Sequence, residues 1–189
     1  MPIIRKLYTI FIDLAETLVI AGAIFVVIYA FLFRPFQVNG QSMHPNYANG
    51  EYVLTNLITL RLKSVERGDV VVFESPTNEE KDFIKRVIGI PGDEVRVKAG
   101  FVFVNGVRLD ESEYLTPDMR TYAGAFIKDG EPRIVPPDNY FVLGDNRSFS
   151  SDSREWGFVP SRKTIGKSFL VYWPISKFRS VKHARYNIN

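Results

Sequence analysis

The sequence predicts a mainly β protein, with a single N-terminal transmembrane helix followed by a mostly antiparallel β domain. Three observations carry the prediction. Residues 17–33 hold no charge and consist mainly of Leu, Val, Ile, Ala and Phe. From Arg34 onward, short β-branched and aromatic runs alternate with turn residues. No second long stretch of helical period follows, so little helix is expected after the first.

The anchor comes first. As a helix, residues 17–33 span about 25 Å at about 1.5 Å per residue, and adding 14–16 approaches the roughly 30 Å of a bilayer's hydrocarbon. Glu16 then falls at the interface, where a long side chain reaches the headgroups. An all-round apolar helix of this length does not suit a soluble surface. Arg5 and Lys6 ahead of it would also fit a cleaved signal peptide. The run is longer than is usual for one, and no Ala-x-Ala site precedes Arg34-Pro35, so an uncleaved anchor is expected. Arg5, Lys6 and the terminal amine favour a cytoplasmic N-terminus, opposed by Arg34, which puts the large domain outside the cell membrane. The expected organisation is a short cytoplasmic N-terminus at 1–13, the anchor at 14–33, an extracytoplasmic domain at 34–176 and a basic tail at 177–189.

Strands are expected at 51–54, 69–73, 82–90, 94–98, 101–104, 107–109, 140–143 and 168–173, each rich in β-branched or aromatic residues. Asn105-Gly106 is a strong two-residue hairpin signal. Residues 110–138, with prolines at 117, 132, 136 and 137, read as loops with room for one hairpin. Lys177, Arg179, Lys182 and Arg185 make the last segment a solvated tail by default.

Composition narrows the chemistry. The chain has 189 residues and a formal net charge of +3, which gives no bulk attraction to nucleic acid. About 150 residues after the anchor are enough to bury a core. The absence of cysteine excludes disulfides, thiolate-rich zinc sites and a cysteine nucleophile. His44 and His183 are the only histidines. A catalytic zinc centre usually draws on two or three, so no metal is expected.

Three separated islands read as parts of one active site: Ser42-Met43-His44-Pro45, the run from Lys85-Arg86-Val87 to Pro91-Gly92-Asp93, and Gly144-Asp145-Asn146-Arg147 continuing to Asp152-Ser153-Arg154-Glu155-Trp156-Gly157. A serine hydroxyl needs a base to become a nucleophile. His44 lies too close in sequence to Ser42 for good geometry, and His183 lies in the tail. A lysine can serve if burial lowers its pKa towards about 7–8. On a strand, Lys85 shares a face with Phe83 and Val87, which removes water from its ammonium. An ordinary edge-strand lysine and a surface serine remain the plain alternatives. The islands point to a membrane-tethered serine/lysine peptidase.

Taken in order, Arg34-Pro35-Phe36-Gln37-Val38, Ser42-Met43-x-Pro45, Arg67-Gly68-Asp69-Val70-Val71, Phe83-Ile84-Lys85-Arg86-Val87-Ile88-Gly89-Ile90-Pro91-Gly92-Asp93, the block 144–160 and Tyr172-Trp173-Pro174 make the chain recognisable. It resembles bacterial type I signal peptidases, membrane-bound enzymes that remove signal peptides from exported proteins. The islands cover nearly all of the soluble domain. The resemblance implies that Ser42 is the nucleophile and Lys85 the general base of an acyl-enzyme mechanism that needs no cofactor. It matches Ser150 to a serine whose hydroxyl helps orient the lysine, and Asp145, Asp152 and Arg154 to positions that hold the loop together. It implies two β sheets with an apolar face near the bilayer, and the 34–41 link reaches at most about 28 Å when extended. It also implies preprotein substrates with an Ala-x-Ala site, and pocket positions at Phe36, Val38, Met43, Phe83 and Ile84. The peptide would add to a strand edge.

One position departs from part of the family. Some members carry a serine two residues before the nucleophile that helps form the oxyanion hole, and here Gly40 stands there. Other members share this Gly-x-Ser-Met form, so the hole would rest on the Ser42 backbone N–H and a second donor, with Gly40 serving the turn. Two rival readings are a self-cleaving protein of the phage-repressor type and a non-catalytic membrane-anchored β module. The first would carry a DNA-binding module where the apolar run stands, and the second would not need both Ser42 and Lys85.

Overall fold

The computed structural model describes residues 2–58, 64–78, 80–186 and 188. The first element is α1, Pro2–Phe31, a helix of 30 residues or about 45 Å at 1.5 Å per residue. Within Ile3–Tyr29 an 18-residue stretch has a mean hydropathy of 2.3 and stays unburied, and the helix is long and apolar enough to cross a membrane. The helix starts well before the expected anchor. Two hydroxyls within it, Thr9 and Thr17, bond back to the carbonyls of Arg5 and Asp13 at 3.0 and 2.7 Å.

The helix also stops earlier than expected, because Phe33 already belongs to a strand. The stretch read as a free link is β1, Phe33–Gln37, paired antiparallel with β2, Tyr52–Asn56. Pro35 and the charge of Arg34 hid it. Proline lacks the N–H that a central strand needs, but β1 is an outer strand, where that loss is tolerated. The sheet continues through β11 (Thr164–Trp173), β3 (Val70–Glu74), β4 (Asp82–Gly89), β9 (Asn139–Leu143) and β10 (Val159–Pro160), with β12 (Arg179–Ser180) added to β11.

A second sheet of four strands has the order β7 (Val107–Arg108), β6 (Phe101–Val104), β5 (Glu94–Lys98), β8 (Pro132–Ile134). Asn105 and Gly106 have φ of 50° and 79°, as the hairpin turn between β6 and β7 demands. The excursion 110–138 is mostly turns. Its strand β8 pairs with β5 and so forms no local hairpin. All observed pairings are antiparallel, and the mainly β, two-sheet domain follows the expectation. Ile88, Val95, Val104, Phe141 and Leu143 fill the core that joins the two sheets.

The basic end is not a solvated tail. Val181 and Ala184 are buried, and the Ala184 N–H donates to the Gly68 carbonyl at 3.2 Å. Arg179 pairs with Glu51 at 2.6 Å, and Arg185 with Asp69 at 3.3 Å. These acids lie on the large sheet's side of the chain, so local composition could not reveal that the cations had partners.

Candidate active site

The turn after β1 carries Ser42. It is fixed from below by Val38, whose N–H donates to the Glu51 carbonyl and whose carbonyl accepts from the Gly50 N–H, both at 2.8 Å. Gly40 adopts φ +102°, a region that disfavours side chains, and its N–H donates to Asn49 Oδ1 at 2.7 Å. Met43 anchors the far side of the turn. It is 1% exposed among Val38, Tyr47, Val53 and Val70.

Lys85 comes from β4, and its Nζ lies 2.6 Å from Ser42 Oγ. Strand pairing explains both its burial and its access. On one side β3 covers it, with Val71 opposite Lys85. On the other side β9 pairs with β4 only from Arg86 onward, which leaves the edge of 82–85 open. The lysine is 4% exposed, and its ammonium sits 5.3 Å from the centre of the Phe83 ring. Burial pulls its pKa down from 10.5 to about 8, against the opposing pull of Asp152 and Asp145. A neutral amine is therefore accessible at mildly alkaline pH, in position to accept the serine proton.

The third island packs against both. The Asn146 N–H donates to the Ser42 carbonyl at 2.9 Å, and Asn146 Nδ2 to the Gln41 carbonyl at 3.1 Å. Asp145 accepts from Arg86 Nε and Nη2, each at 2.8 Å, and from Asn46 Nδ2 at 2.8 Å. Arg86 points to the face opposite Lys85, as adjacent strand residues must. Asp152 caps the short helix α2, Ser153–Trp156, and accepts from Arg154 Nε at 2.7 Å and from the Gly144 N–H at 3.1 Å. Arg154 in turn donates to the carbonyls of Arg147 and Ser150 at 2.7 and 3.3 Å. Arg147 is itself buried and held by Glu111 and Thr121.

Ser150 lies close by without the bond that the resemblance implied. Its hydroxyl is buried and has no hydrogen-bond partner among the described residues, while Lys85 Nζ bonds to Ser42. Gly144 explains the crowding: a Cβ added there would collide with the Ser150 hydroxyl and the Ser42 carbonyl.

A cleft of about 260 Å³ opens over Ser42 and Lys85. Phe36, Val38, Phe83 and Ile84 line it together with Gly40, Ser42 and Lys85. Met43, expected as a pocket residue, does not. Its thioether faces inward, where Sδ accepts from the Asp145 N–H at 3.5 Å. No acceptor among the described residues meets the Ser42 N–H.

With this geometry in place, known proteins supply the context. The family described as "Signal peptidase, peptidase S26" matches residues 11–173. The chain belongs to that family. A "Probable signal peptidase I-2" of Synechocystis sp. is 40% identical over 172 residues, covering 88% of this chain and 75% of the relative. A "Signal peptidase IB" of Staphylococcus aureus is 35% identical over 191 residues, covering 94% of this chain and 95% of the relative. A crystal structure of a signal peptidase I from Enterococcus faecalis aligns with a TM-score of 0.46 and 32% identity, over 56% of this chain and 97% of that one.

Within this signal peptidase family member, reasoning from sequence placed Arg86, Asn146 and Arg147 in the site's islands without giving them roles, and it missed Asn46 and Glu111. Arg86 and Arg147 carried a signal. Each is a cation inside an otherwise apolar or glycine-bounded motif, so burial required an acid from elsewhere in the chain. Which acid answers it is a tertiary matter.

Proposed function

We propose that this chain is a membrane-bound serine endopeptidase that cleaves N-terminal signal peptides from exported preproteins. The observation that carries the reading is the Lys85 Nζ to Ser42 Oγ distance of 2.6 Å at the floor of an apolar cleft. Neutral Lys85 takes the Ser42 proton as Oγ attacks the carbonyl of the signal peptide's last residue. The Ser42 N–H faces the developing oxyanion. As the bond breaks, the protonated lysine returns its proton to the leaving amine, and the mature protein departs. Lys85, neutral again, deprotonates a water that releases the signal peptide from Ser42. Ser150, with its hydroxyl free beside the Ser42 carbonyl, orients Lys85 through this cycle. Asp145, Asp152 and Arg154 hold the loop that carries Ser150, and neither metal nor organic cofactor takes part.

The peptide binds extended. β1 and the open 82–85 edge of β4 both run towards the dyad and offer unpaired backbone groups, so the substrate adds as a strand. Small residues at −1 and −3, the Ala-x-Ala pattern, face the floor made by Phe36, Val38, Phe83 and Ile84. α1 crosses the cell membrane once with its N-terminus in the cytoplasm, leaving the domain at the outer face. Because β1 follows α1 directly, the cleft stays near the bilayer. The test uses detergent-solubilised protein and a preprotein bearing an Ala-x-Ala site, with the new N-terminus read by mass spectrometry. A single cut after the second alanine is expected, and folded protein that cuts elsewhere or not at all contradicts the reading.

A further inference from the structure

Outside α1, few large apolar side chains are left in water, and one of them stands over the catalytic cleft. Phe149 is 72% exposed. Among the described residues it is the only such side chain beyond α1 that lines the cleft holding Ser42 and Lys85. Its mount is rigid. It closes a 3-10 turn, Arg147–Phe149, with its N–H donating to the Asn146 carbonyl at 3.1 Å. Asn146 is bonded to the Ser42 carbonyl, and Arg154 grips the carbonyls on both sides of the turn. An aromatic ring held in water on a fixed backbone loses little freedom when a partner covers it. Its burial then removes apolar surface from water.

We propose that Phe149 is a specificity residue that selects an apolar side chain at position −2 or +1 of the substrate. The inference rests on the peptidase reading above. Side chains alternate along an extended peptide. With −1 and −3 turned to the floor, −2 and +1 turn outward, to the rim where Phe149 stands. Phe83 and Ile84, half-buried in the floor, cannot meet those two side chains.

The experiment measures kcat/KM for the full chain in detergent on preproteins that differ only at −2 or +1, carrying Leu, Phe, Gly or Asp there. The leucine and phenylalanine substrates should exceed glycine by roughly fivefold to tenfold at one of the two positions. Phe149→Ala should bring that ratio to about one, and Phe149→Leu should keep most of it. A wild type without the preference overturns the proposal, as does a preference that survives in Phe149→Ala. An equal loss on every substrate in Phe149→Ala marks a structural role and also overturns it. A wild type that cuts no member of the set contradicts the peptidase reading itself, and the proposal with it.

Discussion

The Asn146 N–H donates to the Ser42 carbonyl at 2.9 Å, so the loop after β9 and the turn after β1 are held together at the proposed nucleophile. That bond fixes where the carbonyl of Ser42 can point, and it brings Gly144 so close that only a hydrogen fits. Gly144→Ala must therefore push the two segments apart. Displacements near 1 Å at a catalytic group cost about 100-fold in rate. The expected outcome is a kcat loss of that order with KM changed much less, measured on one preprotein. Full activity would mean that the contact does not position Ser42.

Asp145 and Arg86 form a buried pair with two bonds of 2.8 Å. Removing one member leaves the other charge without compensation, which costs about 3–5 kcal/mol. Asp145→Ala should lower stability by that amount in denaturant unfolding. Asp145→Ala combined with Arg86→Met should recover part of it. A single variant as stable as wild type would show that the pair carries no weight.

Lys85 is held at a cost to the fold. Its pKa falls from 10.5 in the unfolded chain to about 8 in the folded protein, chiefly through burial. Between those values the unfolded chain binds more protons, so stability rises with pH across that window and is lost again as pH falls through about 8. The full shift corresponds to about 3 kcal/mol. Lys85→Met should be inactive yet more stable than wild type at neutral pH, with the gap narrowing towards pH 10.5. Unfolding at the two pH values measures it. A destabilised Lys85→Met would contradict the assignment of the burial cost.

Ser150 offers a way to separate stability from function. Its hydroxyl is buried without a partner, so removing it should cost the fold little or even help. If that hydroxyl orients Lys85 during turnover, Ser150→Ala should lower kcat and leave KM near its original value. Unchanged kinetics would end the proposed role.

Much of this was legible in the sequence, and what was not has a common cause. Alternating runs such as 94–98 and 101–104 declared their strands locally, and Asn105-Gly106 declared the turn between them. β1 escaped because Pro35 is acceptable only on an outer strand, and sheet order is a long-range property. β8, β10 and β12 are two or three residues long and exist through their partners. In the site, Ser42 and Lys85 stood out from the other serines and lysines through the ordered motifs around them, once cysteine and a suitable histidine were lacking. The bonds from Asn146 to Ser42 and from Asp145 to Arg86 were not, since each joins segments far apart in the chain. Met43 was misplaced for a similar reason. An apolar residue beside a nucleophile can face the cleft or the core, and only packing decides.

The central claim is that Lys85 acts as the base for Ser42, and the pH dependence of kcat/KM on a preprotein tests it most directly. With the lysine at about pKa 8, activity should be low in mildly acidic buffer, reach half its maximum near pH 8, and level off above it. A profile flat from acidic to alkaline pH, or one rising only near pH 10.5, would contradict a buried, neutral Lys85 as the base.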